Sequence, residues 1–289
     1  QTLAVLVGIA LAWWTGSVWA LVASALTAAL AEVALGWLLL SGNRDRLHID
    51  RSALGELVSF GKWVFLATIC GFAYHQGDRL ILGRYLDVET LGLYQIGFFL
   101  SAFPTIIGTM LSRQIVLPIY REAPPGESRD NFLRLRKMRV LLSAGLMGMA
   151  GAVGLVGVWL VGVLYDPRYA LAGPILVALS VAQMPTLLVL SYVQAPLAAG
   201  DSRSFFLLSL ARAVLMVSGL LVGLHYAGLG GALAGKAAAF ILTYPPSVWV
   251  ARRAKAWDPL HDVAFAVIGF GLGTLALWAN RAEMVMLLP

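Results

Sequence analysis

The chain has 289 residues, of which 60% are hydrophobic and only 12% are charged. A soluble domain carries about 25% charged residues, so this composition leaves too little polar surface for a water-facing body and excludes a soluble globular protein. The formal charge of +6 does not indicate nucleic-acid binding, because the basic residues fall in short clusters between apolar runs. The sequence therefore predicts an all-α protein, a polytopic bundle of transmembrane helices.

In chain order, the apolar runs predict about nine membrane spans. A bilayer core about 30 Å thick needs about 20 apolar residues in a helix, and the first run is shorter than that because Thr15-Gly16-Ser17 interrupts it. The predicted spans are 2–14, 18–40, 57–77, 91–117, 140–165, 171–197, 205–224, 229–250 and 263–278.

The positions of the basic residues test this assignment of membrane spans. They concentrate in alternate loops, within 44–51, 121–139, 203 and 252–255, whereas the intervening loops hold only Arg84 and Arg168. Such alternation is expected when basic loops remain in the cytoplasm, where they lie against anionic lipid headgroups. It places Pro289 outside.

Motifs of catalysis and metal binding are missing from the sequence. It contains no GxSxG, Walker A or HExxH pattern, and its one cysteine and four scattered histidines favour neither a disulfide nor a metal site. The longest predicted extramembrane stretch, 119–138, is too short for a soluble catalytic domain, and its basic residues predict a helical run over 129–139. We therefore expect no enzyme activity, no cofactor and no metal.

Charged residues at membrane depth are the main candidates for function, because each costs about 2.5–3.5 kcal/mol to insert. Gln76, Asp78 and Arg79 come at the outer end of the third span, where they either end the helix at the interface or face a central cavity. Arg212 and Lys236 each lie about seven residues inside a span, roughly 10 Å deep, and are candidates to line that cavity. Snorkelling to the cytoplasmic interface is the favoured reading of Arg113.

Three further polar residues lie inside spans. Glu32, near the middle of the second span, either pairs with a cation or titrates in coupling to a proton or sodium ion. Gln183 and Gln194 are predicted close to one face of one helix, where they either bind sugar hydroxyls or join two helices. Prolines within the spans predict kinks, at positions 104, 174, 185, 196, 245 and 246.

Four short motifs carry a resemblance to a known family. They are FGKWVFL at 60–66, QGDRLILGRYL at 76–86, LGLYQI at 91–96 and VLPIY at 116–120. In this order and spacing they resemble the polysaccharide biosynthesis (oligosaccharide flippase) family of the multidrug/oligosaccharidyl-lipid/polysaccharide exporter superfamily. The resemblance covers about 60 residues well, and it departs from the family pattern at Ile119-Tyr120-Arg121.

The resemblance implies two six-helix lobes around a central cavity. Residues 1–41 would then be the last two helices of a first, incomplete lobe, and 42–56 a cytoplasmic linker between the lobes. Residues 57–251 would form the second six-helix lobe, and 252–289 a basic loop with one extra helix. About four earlier helices would be missing, as expected of an N-terminally truncated fragment.

The family moves undecaprenyl-pyrophosphate-linked oligosaccharides from the cytoplasmic to the periplasmic leaflet of the bacterial inner membrane, for O-antigen, exopolysaccharide or capsule. Polymerase and chain-length proteins of the same pathway would be partners. A pyrophosphate–sugar head group needs a wet, cationic cavity, and Arg79, Arg212 and Lys236 are the residues expected to line it. The alternatives are a cation-coupled multidrug antiporter, a membrane-embedded polyisoprenyl glycosyltransferase or polymerase, and a non-transporting scaffold.

Overall fold

The computed structural model describes residues 2–17, 19–39 and 51–287, and every regular element in these ranges is a helix. This confirms the all-α prediction. The α-helices are α1 (Thr2–Thr15), α2 (Trp19–Leu39), α3 (Arg51–Tyr85), α4 (Val88–Ser101), α5 (Phe103–Leu111), α6 (Leu117–Glu122), α7 (Arg129–Leu164), α8 (Ala172–Val189), α9 (Ala195–Ala198), α10 (Ser202–Leu242), α11 (Tyr244–Arg253), α12 (Pro259–Ala279) and α13 (Arg281–Met284). Shorter pieces of other helical geometry are the π-helix Ser112–Val116 and the 3₁₀-helices Pro167–Tyr169, Tyr192–Gln194 and Val285–Leu287.

The chain forms two compact units, Gln1–Leu54 and Gly55–Pro289. In the first unit α1 and α2 pack as a hairpin, with Gly8 against Ser24. Gly16 takes a left-handed φ of 59° just after α1, a conformation that glycine adopts without steric cost and that commonly ends a helix. The predicted break between the first two spans is confirmed.

Six stretches of the described helices are long and apolar enough to cross a membrane, and the bent pair Val88–Ser101 with Phe103–Glu122 makes a seventh. One of the six, Ser202–Arg253, is in fact two spans, because Ala227 and Gly228 leave helical geometry. This brings the described full spans to the eight expected, with α1 as the shorter ninth.

Close glycine packing folds α10 into two arms, 202–226 and 229–242. A Cβ added to Gly223 would overlap the carbonyl oxygen of Gly231, and one on Gly235 would overlap that of Gly219. The backbones of the two arms therefore touch directly, in an antiparallel arrangement that any larger residue would force apart.

At the centre of the second unit lies α8, which packs against α4, α7, α10 and α12. Its sequence is apolar on all sides, as expected of a helix that is buried on all sides. By contrast, large apolar side chains such as Phe65 on α3 and Phe270 on α12 are mostly exposed. Apolar surfaces of this kind suit contact with lipid, and the protein is a multi-pass membrane protein.

Two predicted spans are broken in the structure. Within 91–117, the chain bends by 44° between Ser101 and Phe103, next to Pro104 in the first turn of α5, which agrees with the predicted proline kink. The prediction of one helix over 171–197 was wrong, because α8 ends at Val189 and short helices follow. Since Pro196 has no N–H to donate to the carbonyl of Tyr192, the α-helical ladder cannot continue through it.

The helical run predicted over 129–139 is confirmed. It begins α7 at Arg129 and continues without a break into the following span. Arg139, which the sequence analysis assigned to the basic loop 121–139, is therefore carried into the protein interior, where its side chain is 1% exposed.

Three of the basic loops meet at one end of the second unit. Arg253 Nη1 donates to Ser204 Oγ at 2.7 Å, and Gly126 lies against the side chain of Lys255. Their convergence on one side is what a single membrane topology requires. The fourth basic loop, 44–51, lies almost entirely outside the described residues.

Candidate functional site

A buried ion pair joins three helices of the second unit. Lys236 Nζ, on the second arm of α10, lies 2.6 Å from Asp78 Oδ2 on α3. The same oxygen accepts a hydrogen bond of 2.6 Å from Tyr94 OH on α4, and Lys236 Nζ donates to that hydroxyl at 3.0 Å. Asp78 and Lys236 are only 1% and 3% exposed.

Local sequence places these groups. The helix α3 continues to Tyr85, two turns past Asp78, so Asp78 does not end the helix. Its buried carboxylate faces the protein interior. Asp87 Oδ2 then accepts from the amide of Thr90 at 2.9 Å and caps α4. Beyond this short connection, the Tyr94 side chain on α4 reaches Asp78 on α3.

Two arginines, one on α3 next to Asp78 and one on the first arm of α10, have unfilled hydrogen-bonding capacity. Arg79 donates from Nη1 to Gln76 Oε1 at 3.2 Å, and the Cζ of Arg212 lies 4.3 Å from the ring centroid of Tyr74. In the part of the chain that the structure describes, Arg79 Nε and Arg212 Nε are the only buried side-chain nitrogen atoms without a partner. Buried polar groups are normally paired, so both atoms are candidates to meet a ligand.

The group carries an excess of positive charge. Asp78 balances Lys236, whereas the structure gives Arg79 and Arg212 no carboxylate partner among the described residues. Arg113 and Arg212 both lie close enough to His75 to interact with it electrostatically. The surroundings of α3 near His75 and Asp78 therefore carry excess positive charge, which favours an anion.

The other candidates from the sequence lie elsewhere. Gln183 is buried and joins segments: its Oε1 accepts from Thr105 Oγ1 at 2.7 Å and its Nε2 donates to the carbonyl of Ser101 at 3.2 Å. The prediction that Gln183 shares a helix face with Gln194 was wrong, because Gln194 lies in the 3₁₀-helix beyond the end of α8. Glu32 lies exposed on α2 in the first unit, and its role in ion coupling stays a prediction.

A second buried polar cluster was missed by the sequence analysis. Its largest side chain, Arg139, donates from Nε to Ser191 Oγ at 2.9 Å, from Nη1 to the carbonyl of Ala256 at 3.0 Å and from Nη2 to Tyr120 OH at 3.3 Å. One turn earlier, Arg136 donates two hydrogen bonds to the Asp258 carboxylate. These contacts fasten α7 to the connection between α11 and α12.

Asp262 is the other centre of this cluster. Its carboxylate accepts from Tyr192 OH at 2.8 Å, from Tyr244 OH at 2.9 Å and from Trp257 Nε1 at 3.2 Å. His261 places Nδ1 3.1 Å from Asp262 Oδ1 and Nε2 3.0 Å from the Ser143 hydroxyl. The Asp258-Pro259 pair, an acidic cap followed by proline at a helix start, was the available sequence signal for this end of α12.

Asp258 lies just before α12, outside the membrane-spanning segments. Burial raises the pKa of this carboxyl, but the hydrogen bonds from Arg136 and the amide of His261, with the charges of Arg136 and Arg139, outweigh burial and leave the pKa below its usual value. The ionised form of Asp258 is therefore the one that stabilises the fold.

An apolar cavity of about 710 Å³ lies between α8, α11 and α12. Met184 and Pro185 are among its apolar lining residues, and its few polar lining residues include Asp262 and Tyr244. None of the cationic residues around Asp78 borders it.

Comparison with known proteins tests the family resemblance. The profile of a family described as polysaccharide biosynthesis protein matches residues 1–170, more than half of the chain. The chain belongs to this family. The matched stretch includes Asp78, Arg79 and Tyr94, and it ends before Arg212 and Lys236.

Two curated relatives share part of the sequence. The probable flippase AglR of Haloferax volcanii is 29% identical over 143 residues, which cover 46% of this chain and 29% of the relative. The teichuronic acid biosynthesis protein TuaB of Bacillus subtilis is 25% identical over 170 residues, which cover 56% of this chain and 34% of the relative. The matches span about a third of the length of these relatives. No solved structure matches the chain.

Proposed function

We propose that this protein is a flippase that moves an undecaprenyl-pyrophosphate-linked oligosaccharide from the cytoplasmic to the periplasmic leaflet during synthesis of a surface polysaccharide. Family membership and the name of the relative AglR support a transport role. Transport of this kind needs no covalent chemistry from the protein. Its setting would be the bacterial inner membrane.

The observation that carries the proposal is that two buried arginine atoms lack a partner, one of them on Arg79, which follows Asp78 of the neutralised Asp78–Lys236 pair. Arg79 Nε and Arg212 Nε are buried donors without an acceptor among the described residues. A pyrophosphate presents several oxygens to such donors, and arginine forms strong, charge-assisted hydrogen bonds with phosphate. Arg79 and Arg212 would bind the head group, while the lipid tail remains in the bilayer.

Other parts of the molecule would support the cycle. The bend at Pro104 and the break at Gly228 provide segments where helices change direction, as expected of a carrier that opens to each side in turn. Glu32 would serve proton or sodium coupling. The polymerase and chain-length proteins of the pathway would receive the transported unit.

The test is a leaflet-translocation assay on the purified protein in vesicles, with a fluorescent polyprenyl-pyrophosphate-linked sugar. Because one charge-assisted hydrogen bond contributes about 1.5–3 kcal/mol, we expect Arg212→Ala to lower translocation by about tenfold or more while membrane insertion stays normal. Arg168→Ala is the matched control, since Arg168 is exposed and pairs only at 3.8 Å with Asp166. Translocation at the wild-type rate in Arg212→Ala would remove this residue from the site.

A further inference from the structure

The Asp78 carboxylate occupies a place where a flippase of phosphate-linked substrates would be expected to keep only positive charge. It lies next in sequence to Arg79, and its Oδ1 accepts the backbone N–H of that residue at 2.8 Å. We infer that Asp78 is a built-in counter-anion, which holds Lys236 in the empty site and weakens anion binding so that the head group is released. This inference rests on the proposed function.

Geometry supports competition for Lys236. Its ammonium carries three donors, of which Asp78 and Tyr94 accept two. It also lies 4.9 Å from the ring centroid of Phe98, and Arg79 Cζ lies 4.8 Å from the centroid of the same ring. Lys236 and Arg79 thus share one aromatic neighbour, so an anion bound by Arg79 lies within reach of the field of Lys236 and of Asp78.

Charge explains why the carboxylate would help transport. Without Asp78, a pyrophosphate bound by Arg79 would also meet the uncompensated charge of the buried Lys236, and this added attraction would hold it more tightly. A transporter needs a site that is strong enough to fill and weak enough to empty. Asp78 repels the pyrophosphate and offers Lys236 a replacement anion when the head group departs.

The competing explanation is that the pair only fastens helices. The three groups Asp78, Tyr94 and Lys236 join α3, α4 and α10, and removal of one partner of a buried pair is strongly destabilising. The two explanations predict different changes in the affinity for an anion. If the pair only holds the helices together, loss of Asp78 weakens the binding of an anion or leaves it unchanged. If Asp78 is a counter-anion, its loss strengthens binding.

The experiment is a binding titration in detergent with four variants: Asp78→Asn, Lys236→Met, the double variant and Arg212→Ala. Farnesyl pyrophosphate is the probe, and inorganic pyrophosphate is a second arm that shows whether the site recognises a lipid-linked or a free phosphate. We expect about tenfold tighter binding in Asp78→Asn and about tenfold weaker binding in Lys236→Met, because single charges a few ångströms away contribute on this scale. The double variant restores the charge balance and should bind as wild type does.

Asp166→Asn is the matched control for loss of a carboxylate, since Asp166 is exposed in the connection between α7 and α8, and it should bind as wild type does. If Asp78→Asn does not fold, Lys236→Met and the double variant decide: recovery in the double variant supports the inference. The inference is overturned if the double variant binds the probe as weakly as Lys236→Met does. It is also overturned if folded Asp78→Asn binds the probe no more tightly than the wild type. Weaker binding in Arg212→Ala would then leave the proposed function standing, whereas no binding of either probe to the wild type overturns the function and the inference together.

Discussion

The cations around Asp78 and those around Asp258 lie in the same unit, but their nitrogen atoms are hydrogen-bonded to different degrees. Arg139 donates to three acceptors, and Arg136 donates two hydrogen bonds to one carboxylate. Arg79 and Arg212 each keep a buried Nε without a partner. The two groups therefore differ in which buried nitrogen atoms remain for a ligand.

This difference separates structural charges from candidate binding charges. A buried cation whose donors all have protein acceptors stabilises the fold and has nothing left to offer a ligand. A buried cation with an unfilled donor costs free energy in the empty protein, and an anionic ligand would recover that cost. We therefore expect substitutions in the two groups to act on different measured quantities.

The largest expected effect is that of Arg139→Met on stability. The substitution leaves Ser191, Tyr120 and the carbonyl of Ala256 without their donor, and we expect it to lower the free energy of unfolding by about 3 kcal/mol. Chemical unfolding in detergent measures this. The control is Arg134→Met, because Arg134 is exposed on the same helix; a loss no larger than in the control would contradict a structural role for Arg139.

A smaller effect is expected for Asp258→Asn, which removes the pairing with Arg136 and weakens the cap of α12. We expect a loss of about 1–2 kcal/mol at pH 7. Since the folded protein lowers the pKa of Asp258, its stabilisation is complete above the unfolded pKa of about 4 and is lost as the pH falls through the folded pKa. The difference between wild type and variant should therefore shrink below about pH 4, and a difference that stays constant down to pH 3 would refute the assignment.

The smallest expected change in stability is that of Arg79→Gln. Because Arg79 makes one hydrogen bond of 3.2 Å and leaves Nε unpaired, we expect the free energy of unfolding to change by less than about 0.5 kcal/mol. Binding of farnesyl pyrophosphate should nevertheless fall by about tenfold. If Arg79→Gln destabilised the protein as much as Arg139→Met does, the contrast between the two groups would fail.

Much of the fold could be predicted from local sequence. The apolar runs predicted the helical spans, Gly16 the first break and Pro104 a bend, since each depends on nearby residues alone. Gln183 and Gln194 show the limit of this reasoning, because a ladder that ends at Val189 cannot be recognised from the apolar pattern of 171–197. Arg139 was assigned to a basic loop for a related reason: the sequence predicts that 129–139 is helical, but not which of its charges the fold buries.

For the candidate site, the sequence determined which side chains carry charge at membrane depth: Arg79, Arg212 and Lys236 were all recognised in this way. Only the tertiary structure decided what each of them meets. Asp78 and Lys236 are 158 residues apart in the chain, and their pairing depends on the fold that brings the second arm of α10 to α3. Hydropathy is a property of neighbouring residues, whereas the neutralisation of a buried charge depends on which distant residue the fold brings within hydrogen-bond distance.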